Sequence, residues 1–543
     1  MGFNFLRFKF FKMKNQFIKN VVKVALVAPL FSLSFMMTSC EEEVMELNAP
    51  DRVTELGAFE SAARIQLAMN GVYDAAQSGF YLGGAVRGYP FGAANVEQGD
   101  TRGEDMLNME AFYQITYENL YNASTANNQY MWETLYALIN KANVTIEGVQ
   151  GAATAGVITK QVADEYVAEC LFLRALAHHE LITHFARPYN HTADASHLGV
   201  PVRITAVNTP ARVDEAKTQG RNSVKQVYDQ ILMDLNTAET TLPATRATFQ
   251  ITKVTKGAAI ALKTRVLLHK RDYTGVITEA TKIVSGDVPP FTSPIGGYRL
   301  TAEPTGPFGA GNKNNTESIF SMLNSATDNS STNGALPQMY GSAPNRALVA
   351  ISPVIWNQSF WPVADKRRTL LTDVSTNNFR YTTKYNGDKV TWGDNTPIIR
   401  YAEVLLNMSE AIARTAGATP KAIALLNAVR GRSTTEVFTA GTPQELIQAI
   451  VNERRIEFLA EGLRWKDIHR LAVEGLYVYK GIPAKVTKGN TLPSDYVAAS
   501  GTVRAGAFAV AALPYDDFRF VWPLPASETS ANPVLAKQQN PNY

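Results

Sequence analysis

Apolar residues recur at helical spacing in segment after segment of this chain, and the segments come in consecutive pairs. Trp132, Leu135, Tyr136, Ile139, Ala142 and Ile146 form one stripe, and Tyr166, Cys170, Leu173, Ala177, Leu181 and Phe185 form the next. A second pair runs from Val224, Val227, Ile231 and Leu235 to Ala259, Leu262 and Val266, breaks at Arg271 to Thr274, and resumes at Val276 and Ile283. Further stripes contain Tyr401, Leu405 and Met408, then Ile423, Leu426 and Val429. Spacing of three and four places these residues on one helix face each. Four helix pairs follow, over 127–187, 222–285, 398–431 and 443–475. The expected fold is mainly α, with about four tetratricopeptide-like helix pairs and a loop-rich, partly irregular remainder. No clean 34-residue period recurs, so an irregular helical bundle satisfies the periodicity too.

The spaces between the pairs are long. Gly79 to Gly103 is rich in glycine and aromatics, and Val288 to Thr396 in Gly, Asn, Ser, Thr, Pro and Trp. Loops of this length in a compact domain carry function or are disordered. Their aromatic content and the 45% hydrophobic composition favour ordered, functional loops.

The N-terminus reads as an address. Residues 1 to 39 hold Arg7, Lys9, Lys12, Lys14, Lys19 and Lys23 and no acid, and Val24 to Met37 is uncharged. Fourteen uncharged residues are too few for a spanning helix, which needs about 20 apolar ones, but suit a secretory signal. Thr38 and Ser39 before Cys40 form a relaxed bacterial lipobox, which predicts cleavage before Cys40 and acylation of its sulfur and new amine. Several acyl chains anchor stably, since each buried methylene contributes about 0.8 kcal/mol. An ordinary secreted protein with a chance cysteine is the plain alternative. Glu41, Glu42 and Glu43 begin an acidic tether over 40–50, similar to surface-export signals of bacterial lipoproteins.

Charge excludes one class of function. The chain carries 52 Lys and Arg against 49 Asp and Glu. Without residues 1–39 the balance is 46 to 49, a slightly acidic body with no concentrated basic face for nucleic acid. Two cysteines exclude a disulfide framework.

Catalytic signatures are missing. There is no phosphate-binding glycine loop, no serine elbow and no calcium loop. His179 and His184 are five apart, about 140° around a helix, so they do not share a metal-binding face. Glu453, Glu457 and Glu461 have glycosidase-like spacing, but Arg454, Arg455, Arg464 and Lys466 surround them in sequence. Ion pairing holds such carboxyls low, whereas a general acid needs a raised one. Cys170 lies on an apolar stripe and reads as a buried thiol. No cofactor and no metal is expected. What remains is aromatic: Tyr81, Tyr89, Phe91, Trp356, Trp361 and Trp392 lie in the expected loops, with Asn95, Gln98, Asp100 and Arg102 beside them. Sugar rings stack a C–H face on such rings, and the polar groups bind hydroxyls. The competing reading is that these rings pack the loops onto the helices.

In order behind the lipobox come further motifs. They include Phe172-Leu173-Arg174-Ala175, Gly199-Val200-Pro201, Tyr401-Ala402-Glu403-Val404-Leu405-Leu406, and Glu453-Arg454-Arg455 through Gly462, Arg464-Trp465 and Asp467. Trp522-Pro523-Leu524-Pro525 and Asn540-Pro541-Asn542-Tyr543 close the chain. The whole resembles the SusD/RagB family of outer-membrane lipoproteins. The resemblance implies a signal peptide over 1–39, an N-terminal SusD-like helical region over 51–300 and a C-terminal RagB/SusD region over 301–543. It also implies a non-enzymatic, surface-exposed protein that captures oligosaccharide and delivers it to a SusC-like TonB-dependent barrel. A peptide receptor of a RagB-like importer and a surface glycosidase are the alternatives. The shared motifs are scaffold motifs and assign no ligand-contacting residue.

Overall fold

The computed structural model describes residues 55–78, 87–248, 250–342, 344–474 and 480–543. Cys40 and Tyr81 lie outside them. Residues 58–543 form one compact unit.

Each expected helix pair is present. Helix α1 is Ala62–Gln77 and α2 is Ala93–Thr101. The first pair is α3 (Ala126–Thr154) and α4 (Lys160–Phe185). Next come α5 (Val224–Thr241), α6 (Lys256–Lys270) and α7 (Tyr273–Thr281). The C-terminal pairs are α8 (Tyr401–Ala416) with α9 (Pro420–Arg430), and α10 (Pro443–Glu457) with α11 (Arg464–Leu471). Local chemistry fixes the boundaries. Ser223 and Gln226 close a capping box at the start of α5, and Thr442 and Glu445 another at α10, each satisfying amides that the first turn leaves unpaired. Arg271, at φ 64°, ends α6 in the left-handed conformation and lets Asp272 cap α7.

The helices stack in sequence order, α3 on α4, α4 on α5, α5 on α6 and α7 on α8. The apolar stripes form one core that extends from Met69 to Leu535. A full burial of one such Leu, Ile or Phe contributes about 1.5–3 kcal/mol.

The expected loops contain more structure than their composition suggested. Residues 93–101, read as loop, form α2, and every residue of it is buried. A helix buried on all sides has no amphipathic stripe, which is why periodicity missed it. The 288–396 stretch contributes short strands β2 (Ser318–Met322), β3 (Val349–Ile351), β4 (Thr372–Val374) and β5 (Arg380–Thr382), and runs into β6 (Thr396–Arg400). With β1 (Met106–Asn108) they build a four-stranded sheet, β1-β3-β5-β4, in which Met106 pairs Ile351. A separate β2–β6 ladder carries a bulge.

Candidate functional site

Most residues expected to contact ligand are interior, which corrects the expectation of an open loop surface there. Tyr89 and Gln98 are fully buried and meet through a 2.8 Å hydrogen bond from Gln98 Nε2 to the Tyr89 hydroxyl. Phe91 is buried in the core, and Asn95 reaches only the Met131 sulfur at 3.9 Å. Asp100 accepts from the Tyr340 hydroxyl at 2.6 Å and from the Gly462 amide at 3.0 Å. Burial pushes its carboxyl up to about 7. Arg102 lays its guanidinium 3.3 Å from the Trp465 ring centre and donates to the Phe520 carbonyl at 2.6 Å. Burial lowers it to about 10. Trp361 is buried edge-on to Trp356, and both lie under the Arg368 guanidinium. Trp392 alone of the expected tryptophans is half-exposed. The physical reason for the Tyr89 to Arg102 stretch is that α2 is an inner helix, every residue of which is buried against neighbouring elements.

The carboxylates at glycosidase spacing are held in a charge network. Arg367 binds Glu453 at 2.6 Å and Glu457 at 3.0 Å, and Arg400 binds Glu457 at 2.8 Å and Glu461 at 2.8 Å. The nearby arginine and lysine cations hold Glu457 well below the ordinary range despite its burial. The partners differ from those suggested by sequence proximity. Arg454 binds Asp467, Arg455 and Arg464 bind Glu104 and Asp105, and Lys466 binds Glu180. A helix turns Arg454 and Arg455 away from the Glu453 face by 100° and more.

His179 is buried, and burial lowers it to about 3. His184 stacks on Trp522 with ring centres 4.4 Å apart and bonds Glu180 at 3.1 Å. Among the described residues no group of three or more His, Cys, Asp or Glu is arranged to hold a metal ion. The Cys170 thiol is pushed up by burial and touches the Met69 sulfur at 3.8 Å.

Above this framework lies an aromatic and cationic cluster. Phe112, half-exposed in the turn after β1, has the Arg87 guanidinium 5.3 Å and the Arg346 guanidinium 5.2 Å from its ring centre. Tyr113 meets Phe112 edge-on at 5.2 Å. Tyr130, also half-exposed, packs on Tyr89 at 6.1 Å. The Arg346 Nη1 donates to Asn333 Oδ1 at 2.7 Å, which sets the guanidinium in place. Glu97 lies in the same region, fully buried, with neither carboxyl oxygen hydrogen-bonded. Burial holds it well above the ordinary range although the Arg346 charge pulls it down. Planar donors beside aromatic edges suit hydroxyl-bearing rings. The Tyr89 to Arg102 segment supports this cluster from below. Sequence reasoning missed Arg87, Phe112, Tyr130 and Arg346. Adjacent aromatics at Phe112-Tyr113, outside any apolar stripe, are the signal that marks it.

Comparison with known proteins gives a consistent result. A family model described as "Starch-binding associating with outer membrane" matches residues 83–268, and the model of the SusD family matches residues 366–543. A SusD-like protein of Formosa agariphila is 23% identical over 486 residues, covering 80% of this chain and 88% of that protein. The structure of a SusD superfamily protein from Bacteroides fragilis superposes with a TM-score of 0.70 at 27% identity, covering 88% of this chain and 99% of that one. A SusD-like carbohydrate binding protein from Bacteroides vulgatus shares the fold, with a TM-score of 0.69 at 18% identity over 88% of this chain and 98% of that one.

Proposed function

This chain belongs to the SusD family, and from that premise we propose that it is a surface lipoprotein of the outer membrane that binds oligosaccharide and delivers it to a SusC-like TonB-dependent barrel. The observation that carries the binding role is the half-exposed Phe112 ring under two guanidiniums, on a frame whose Tyr89, Phe91 and Tyr113 rings are buried. Arg87, Arg346 and Tyr130 supply hydrogen bonds to sugar hydroxyls, and Phe112 supplies apolar contact to C–H edges. Trp392 is a further contact from the 288–396 region.

The reading is binding without bond cleavage. The carboxyls with raised pKa in this region, Glu97, Asp100 and Asp105, are interior, and both oxygens of Asp100 and of Asp105 are occupied. A general acid must reach the leaving oxygen. Anchoring rests on lipidation of Cys40. Among the described residues no helix is long and apolar enough to cross a membrane.

A glycan array probed with wild type and Phe112→Ala tests the binding role. Wild type retains a subset of glycans, and Phe112→Ala weakens them about tenfold, the effect of losing one aromatic contact of about 1.4 kcal/mol. An unchanged array profile in Phe112→Ala overturns the assignment.

A further inference from the structure

Helix α1, the first turns of α4, the α5–α6 connection and the end of β2 enclose an open cleft of about 870 Å³. It shares no residue with the Phe112 cluster. Its volume lies within the range of roughly 300–1,000 Å³ typical of small-molecule sites.

One wall is set by internal bonds. Arg246 binds Glu165 at 2.8 Å and Glu169 at 3.1 Å and donates to the Val254 carbonyl at 2.9 Å. Tyr73 donates to Glu169 and accepts from the Val254 amide at 3.1 Å. The Lys253 ammonium stands 3.8 Å from the Tyr73 ring centre and makes no ion pair with another described residue. Tyr166, half-exposed, is pinned through its hydroxyl to Gln66 at 2.8 Å. These groups are ordered before any ligand arrives, which lowers the entropy cost of binding.

The opposite end is rich in acceptors. Asp74 and Asp328 line it. Burial and the Asp328 charge together raise the Asp74 carboxyl. Gln77, 5% exposed, uses its amide nitrogen on the Leu323 carbonyl at 2.7 Å and on Asn324 Oδ1 at 3.1 Å. Those acceptors fix the amide orientation, and the Gln77 Oε1 oxygen has no hydrogen-bond partner.

We infer that this cleft is a second saccharide site, taking an uncharged, hydroxyl-rich oligosaccharide. The inference rests on the reading that the chain binds glycans and adds a second place where it does so. Hydroxyls donate to Asp74 and Asp328 and accept from Lys253, while Tyr166 offers a ring edge. Four carboxylates against two cations along the lining disfavour an acidic sugar.

The full chain in detergent is tested on an array of neutral, amino and uronic-acid oligosaccharides, as wild type, Phe112→Ala, Ala247→Trp and Asp74→Asn with Asp328→Asn. Ala247, Asp74 and Asp328 are exposed, so these substitutions leave the core intact. Two independent variants guard against a local misfold, and matched circular dichroism checks both. We expect a set of neutral glycans whose signal falls about tenfold in both cleft variants and persists in Phe112→Ala. Cleft variants that leave every glycan within twofold overturn the second site, while loss in Phe112→Ala alone keeps the first. Selective loss of uronic-acid glycans in the cleft variants also overturns it. A wild type that binds no saccharide overturns both readings.

Discussion

Single side chains in this protein show how burial sets chemistry. His179 is enclosed with no hydrogen bond to either ring nitrogen, and its imidazole is lowered to about 3. A folded-state pKa below the unfolded value of about 6.5 means that the unfolded chain binds more protons between pH 6.5 and 3. The stability contributed by neutral His179 is therefore full above pH 6.5 and is lost as pH falls through that window. His179→Leu removes the titrating group. Its stability relative to wild type should rise by about 2 kcal/mol between pH 7.5 and pH 5, read from urea unfolding. A difference that stays constant with pH would show that the ring never resists protonation. Cys40 tests another residue-level claim. Cys40→Ser should shift the protein from the membrane to the soluble fraction, because the acyl chains supply the anchoring free energy. Continued membrane association would refute lipidation as the anchor.

At the scale of elements, close approach decides what the inner helix α2 tolerates. A Cβ on Gly99 would lie 2.2 Å from the Gly462 carbonyl oxygen, and Gly462 itself is held at φ 72° against the Val96 backbone. Both sides of this contact are backbone, so neither can yield like a side chain. Gly99→Ala should destabilise by about 3 kcal/mol. Gly151, on an exposed turn of α3 with open space around it, is the matched control. Gly151→Ala should stabilise by about 0.5–1 kcal/mol, because it removes only the helix entropy cost of glycine. Equal effects at the two positions, measured by chemical denaturation, would disprove the contact argument. The same packing explains why the aromatic segment 89–102 is framework. Its helix carries buried residues on every face.

Over the whole molecule, buried ion pairs join elements that are far apart in sequence. Arg400 at the end of β6 binds Glu317 before β2 at 2.5 Å, Glu457 of α10 at 2.8 Å and Glu461 at 2.8 Å. Arg455 and Arg464 reach back to Glu104 and Asp105. Arg400→Met would leave three buried carboxylates short of a cation. It should cost about 3–5 kcal/mol, and the loss should persist at 1 M salt because buried charges are little screened. A loss below 1 kcal/mol, or one abolished by salt, would place the network at the surface instead. The core itself crosses from α1 to the C-terminal segment. Helix pairs therefore stack into one body with little room for independent unfolding of either half.

Local patterning was enough to locate the helix pairs, because an apolar stripe at 3.6-residue spacing is a property of neighbours along the chain. The same holds for the charged residues near Glu457, which announced ion pairing before any partner was known. Which cations pair, however, depends on chain segments that meet only in the fold: Arg367, Arg400, Arg430 and Arg432 converge on Glu453 and Glu457 from elsewhere in the sequence. The site is divided in the same way. Composition drew attention to the aromatic stretch after Gly88, but exposure is a tertiary quantity. Packing of α2 against the Gly462 turn buried Tyr89 and Asp100 and left Phe112 and Tyr130 to face solvent, since side chains compete for the same interior and only contact between distant segments settles which are enclosed.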